Sequence, residues 1–247
     1  MDGLSSYVQY VNKCLEDVVE KGRASLDAAS DAMIGRFREG RVVHIYGPGV
    51  HSYIAAEDAF CRKGGLIPVN ALLDTSLSAA NGMRFAHLLE GQSTHADACL
   101  AFYGIGEGDV LIVANAYGFN AVCVQAAIRA RELGAKVIAI TCPAFSRSVP
   151  PDAKNRHPGG KSLFEVADIV IDNQMDPGET IVEIQGHPKL KVGAVATILH
   201  SFIINCLVIR VAEKMAEEGE PPPVVAVGDQ EYTDRIRARF AGQLRHY

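Results

Sequence analysis

The sequence predicts an α/β protein whose parallel sheet is covered by helices on both faces. Residues 110–141 form one continuous run of strand, tight turn, amphipathic helix and second strand, quoted from Gly108 as GDVLIVANAYGFNAVCVQAAIRARELGAKVIAIT. That is a complete βαβ unit, which has to cross over right-handed within a parallel sheet. Strands alternate with helices along most of the remaining chain, as a sheet covered on both sides requires. With 247 residues, 48% hydrophobic and 21% charged, the chain has core enough for one large domain and too little for two comfortable ones.

The elements follow in order. Val8, Val11, Leu15, Val18 and Val19 fall at helical spacing behind a cap at Ser5 or Ser6. A second helix covers 24–39 and stops at Gly40, and a strand over 41–46 closes on Gly47-Pro48-Gly49. The next helix is expected over 52–63, ended by Gly64-Gly65, with a short strand over 66–70. From 71 to 108 the pattern weakens, leaving short helices near 84–89 and 96–103. Beyond the βαβ unit, 143–160 is a loop rich in Pro, Ser and Arg, and long loops in compact domains are often functional. A short helix over 162–166, a strand over 169–171 and a long helix over 192–218 follow. The Pro221-Pro222-Pro223 brake precedes a last helix over 232–244. This divides one domain, 1–247, into an N-terminal helical segment (1–40), an α/β core (41–190) and C-terminal helices (191–247).

Composition excludes several classes of function. The net charge of −5 offers no basic face to nucleic acid, and without Trp there is no aromatic platform for stacked bases. Cys14, Cys61, Cys99, Cys123, Cys142 and Cys206 lack CxxC spacing, which points to reduced thiols in the cytoplasm rather than a zinc ribbon or disulfide framework. The opening MDGLSSYVQY does not have the basic-then-apolar pattern of a signal peptide. The apolar run 192–211 is broken by His200, Ser201, Asn205 and Arg210, so a buried helix is expected and no membrane span.

Two turns stand where an open α/β sheet places a ligand, just past a strand end and at a helix N-terminus. In the first, Gly47, Gly49 and Ser52 combine open backbone with a hydroxyl, a natural anion seat; alternatively Ser52 only caps the helix. A dinucleotide fingerprint fails there, since Ser52 replaces the third glycine and no acid follows about twenty residues on. Gly160-Lys161-Ser162 is no phosphate loop either, because Asn155 stands where the first glycine is required and no strand precedes it. No local His spacing supports a metal, and no cofactor is expected.

The order of two helices, a strand with a Gly-x-Gly turn, GDVLIVANAYGFN and VIAIT resembles the sugar isomerase (SIS) domain over most of the chain. His51-Ser52, the segment Arg156 to Lys161 and the strand Ala167 to Asn173 resemble a subgroup of phosphosugar-binding SIS proteins of uncharacterised activity. The resemblance implies a flavodoxin-like three-layer αβα sandwich with a five-stranded parallel sheet. It also implies dimers or tetramers that share their sites and are built through the N-terminal helices and the long C-terminal helix. The ligand it implies is a sugar or sugar phosphate, and the activity an aldose–ketose isomerisation, with a non-catalytic sensor or accessory binder as the alternative.

By the same resemblance Ser52 would hydrogen-bond a phosphate or sugar hydroxyl. The second turn departs from the family, because Asn115 and Tyr117 replace the usual two serines, followed by Gly118, Phe119 and Asn120. Isomerisation needs a base and a group that polarises the carbonyl. The candidates are Glu57, a helical acid beyond Ser52, His51 in the turn, and His200, since a comparable late helix carries a catalytic histidine in phosphoheptose isomerases. His157 and Lys161 in the long loop could close over a ligand. His44, His87, His95, His187 and His246 receive structural readings.

Overall fold

A computed structural model describes residues 2–245; His246 lies outside the described residues. The chain opens with α1 (Gly3–Lys21) and α2 (Arg23–Arg38), then β1 (Val43–Tyr46), α3 (Tyr53–Ala59) and β2 (Val69–Leu72). Two single 3₁₀ turns lead into α4 (Met83–Leu89) and α5 (Ser93–Tyr103). The expected βαβ unit is β3 (Val110–Ala114), α6 (Ala121–Glu132) and β4 (Lys136–Thr141). After it come α7 (Pro143–Ser148), α8 (Leu163–Val166), β5 (Ile169–Asp172), the strands β6 (Thr180–Ile184) and β7 (His187–Ala194), α9 (Ala196–Glu217) and α10 (Gln230–Arg239).

The five strands β1 to β5 form one sheet in the order β2-β1-β3-β4-β5, every pairing parallel. Its strands are apolar on both faces, as a doubly covered parallel sheet demands. Val43, Ile45, Ile112, Ile138 and Ile140 pack towards α2, α3, α9 and α10, while Tyr46, Leu111, Val113, Val137 and Ala139 pack towards α5, α6 and α8. The three layers expected from the sequence are therefore present.

Four details differ from the sequence reading. The cap of α1 is Asp2, whose side chain accepts from the Ser5 amide, so the serine hydroxyls are not needed there. Helix α3 has 7 residues rather than the expected dozen and stops at Ala59, with Cys61 in a left-handed conformation soon after. The loop over 143–160 begins with a helix, α7, which has Pro143 in its first turn and the Cys142 sulfur accepting from the Phe145 amide. Finally, 180–194 forms an antiparallel hairpin turning at Gly186, so the long helix starts at Ala196 instead of 192.

By length and composition α9 could cross a membrane. In the fold its Leu199, Ile203, Leu207 and Val211 are buried, placing it as a core helix. Among the other histidines, His44 lies inside β1 at 5% exposure, where burial pushes its ring down to about 4, and His187 opens β7 exposed to solvent. His95 binds the Asp74 carboxylate at 2.6 Å, which raises the histidine and lowers the acid.

Candidate functional site

Strands β1 and β3 are neighbours at the sheet centre, and the order reverses between them: β2 lies on one side of β1, and β4 on the far side of β3. Their C-terminal ends thus form the switch point where an open sheet leaves a crevice. A cavity of about 300 Å³ occupies it, walled by both turns, by Glu90 after α4, by Glu179 before β6, and by Thr197 and His200 of α9. The size lies at the small end of ligand sites.

The first turn is tight because Gly47 has no side chain: a Cβ there would overlap the Ser52 carbonyl oxygen. Ser52 is buried at the head of α3, makes no capping hydrogen bond and lines the cavity. In the second turn the Asn115 side chain does three jobs. Its Oδ1 accepts from the amides of Tyr117 (3.2 Å) and Gly118 (2.8 Å), and its Nδ2 donates to the Pro48 carbonyl at 2.8 Å. A single buried amide therefore closes one turn and fastens it to the other. Gly118 takes φ +64, and a Cβ would collide with the Thr141 and Ser146 hydroxyls, which makes glycine a requirement of the backbone here.

Glu90 joins the two turns from the side. Its Oε1 accepts from the Val50 amide and its Oε2 from Asn120 Nδ2, both at 3.3 Å. Burial pushes this carboxyl up, against the opposing pull of the Val50 amide and the nearby His87 and His51. A carboxyl held in a cleft with a raised pKa matches what a general base requires. The sequence reading missed it and chose Glu57.

The structure does not bring Glu57 to the cavity. Tyr53, Ala55, Ala56 and Ala59 form the inner face of α3, and Glu57 lies on the outer one, exposed beside Ile54, Asp58 and Arg62. His51 and His200 do line the cavity, as do Gly49, Ser52, Asn115, Tyr117 and Asn120. Gly47 and Gly118 shape the turns without lining it. His157 is also away from the cavity: its Nε2 meets Gln125 Oε1 at 3.1 Å and its Nδ1 accepts from the Gly159 amide, so the ring pins the long loop onto α6. Lys161 is exposed and outside the cavity walls. His87, expected to be structural, is on the wall, and among the described residues no group of three His, Cys, Asp or Glu could hold a metal.

Tyr117 sits between Phe145 and Phe119, with centroids 4.6 and 6.2 Å away, and donates its hydroxyl to the Glu179 carboxylate. Burial and that carboxylate raise the phenol, keeping it protonated.

His200 is 2% exposed, and its Nε2 accepts from Asn173 Nδ2 at 3.4 Å, which leaves the proton of the neutral ring on Nδ1. Burial pushes it from 6.5 down to about 4. Between those values the unfolded chain binds the proton and the folded one does not. Stability therefore falls as the pH drops from 6.5 towards about 4, by about 3 kcal/mol for this group. Urea midpoints across that range check the slope, and His200→Gln should reduce it, leaving the share of the similarly buried His44.

Comparisons with known proteins agree with this architecture. The SIS domain family matches residues 6–142. A UPF0309 protein of Shouchella clausii is 32% identical over 252 residues, covering 100% of each chain. Another, from Geobacillus kaustophilus, is 32% identical over 244 residues, covering 98% of this chain and 94% of its own. Among solved structures, a phosphoheptose isomerase from Francisella tularensis superposes with a TM-score of 0.54 at 18% identity, over 85% of this chain and 96% of that one.

Proposed function

This chain belongs to the SIS domain family, and from that premise we propose that it binds a sugar or sugar phosphate in the switch-point cavity and interconverts its aldose and ketose forms. The observation that carries the reading is Glu90, a carboxyl with a raised pKa held between the two ligand-binding turns. The phosphoheptose isomerase likeness supports the same class of reaction.

In this mechanism the open-chain sugar lies with its carbonyl towards His200. Glu90 takes the proton from the carbon beside the carbonyl, the electron pair moves to form an enediol, and the same carboxyl returns the proton to the neighbouring carbon. Neutral His200 donates from Nδ1 to the carbonyl oxygen as charge develops there, and takes a proton back from the neighbouring hydroxyl as that oxygen becomes the new carbonyl, so the ring ends neutral. His51 and Ser52 at the mouth hold hydroxyl groups of the substrate.

The whole of 1–247 acts as one SIS domain. It works in the cytoplasm, where its six free thiols stay reduced. Two copies pair through the exposed apolar residues of α1 and α9, Leu4, Val8, Ile198 and Ile209. Light scattering at micromolar concentration should give twice the chain mass; a monomer would count against the pairing.

Incubation with aldoses, ketoses and their phosphates in deuterated water tests the chemistry. Deuterium entering the carbon beside the carbonyl is the expected result. Binding without any exchange would mark a sensor instead.

A further inference from the structure

We propose that Asn155, which does not line the cavity, is a positioning residue that holds the Glu90 segment against the second turn; the proposal rests on the assignment of Glu90 as the base. Glu90 follows directly on α4, a helix of 7 residues in which only Ala86 is buried. So short and shallow a helix has little packing of its own to fix the acid at its end. Its place is set from outside, by the long loop after α7.

That loop is laced to the second turn through the backbone. The Ala121 amide donates to the Asn155 carbonyl at 2.8 Å, the His157 amide to the Phe119 carbonyl at 3.1 Å, and the Leu163 amide to the Gly118 carbonyl at 2.7 Å. Asn155 takes φ +68, a left-handed conformation that asparagine tolerates better than most residues. From there its Nδ2 donates to the His87 carbonyl at 2.9 Å, close before Glu90 in the chain. Its Oδ1 lies against Gly91, where a Cβ would come within 2.7 Å of it, so a side chain just after Glu90 would push the amide away. The Glu90 carbonyl completes the link by accepting from the Val122 amide at 3.1 Å, at the head of α6. The backbone is thus held on both sides of the base, while its carboxylate stays on Val50 and Asn120.

Asn155→Gly keeps the left-handed backbone and its carbonyl and removes only the side chain. In the deuterium-exchange assay turnover should fall about tenfold to a hundredfold, as for a catalytic group displaced by about 1 Å, while KM changes less than about twofold. The pH profile should move as well. Burial raises Glu90 against the pull of the Val50 amide, His87 and His51, and its other titratable neighbours, Tyr117 and Cys123, are themselves pushed up and stay neutral. A loosened Glu90 loses part of that burial, so the acid limb of the rate, which follows its deprotonation, should shift to lower pH. A merely structural loss would lower the amount of folded protein and leave the limb in place. Gly91→Ala displaces the same amide without altering Asn155; it should reproduce both changes, and it carries the test if Asn155→Gly does not fold. Where the unmodified chain exchanges deuterium and Glu90→Gln abolishes the exchange, an unchanged rate and limb in these variants overturn the positioning role alone. No exchange by the unmodified chain, or none lost with Glu90→Gln, overturns the assignment of the base and this proposal with it.

Discussion

Glu90→Gln is expected to remove deuterium exchange and isomerisation by about 10²–10⁴-fold, the range a positioned general base contributes. The substitution keeps length and shape, so the cavity stays formed. The Val50 amide can still donate to the remaining carbonyl oxygen, and the Asn120 amide can turn over to accept where it now donates. Binding of the sugar should therefore change little while turnover collapses, and this split separates a base from a merely structural acid. Glu57→Gln serves as the control. Glu57 is exposed on the far side of α3, and its loss should leave both binding and exchange unchanged. If Glu57→Gln abolished exchange and Glu90→Gln did not, the assignment of the base would be wrong.

The largest effect on stability is expected from Asn115→Ala. The substitution leaves the Pro48 carbonyl and the amides of Tyr117 and Gly118 without their partner, in a place where Asn115 is only 3% exposed. An unpaired buried group costs about 1–3 kcal/mol, so the three together should lower the unfolding free energy by about 3 kcal/mol after relaxation. The two turns would also separate, taking sugar affinity with them. Urea unfolding followed by circular dichroism reads the first effect, and calorimetry the second. A loss under about 1 kcal/mol would mean that water replaces the side chain and that the brace is dispensable.

The layers of the fold were legible because the βαβ pattern is local: each strand, turn and helix declares itself within a few residues. Both turns could be found for the same reason. Glu90 could not, since α4 exposes Met83, Phe85 and Leu88 and so has no apolar stripe to announce it. What brings Glu90 into the cavity is its contact with Val50, forty positions earlier in the chain. Glu57 misled because counting from Ser52 does not give the face of a helix whose length is unknown. With α3 ending at Ala59, its inner face is complete without Glu57. The hairpin was hidden because the apolar residues that end β7 read on into those that open α9, although Gly186 marks its turn.

The brace from Asn115 to Pro48 spans 67 positions of sequence, and the walls run from Gly49 to His200. No contiguous fragment of the chain thus owns the cavity. During refolding it can appear only after β1 has found β3 across the intervening α3, β2, α4 and α5, the kind of distant pairing that slows folding. Ligand binding in a refolding experiment should accordingly trail the recovery of helix signal and arrive with the last, cooperative step.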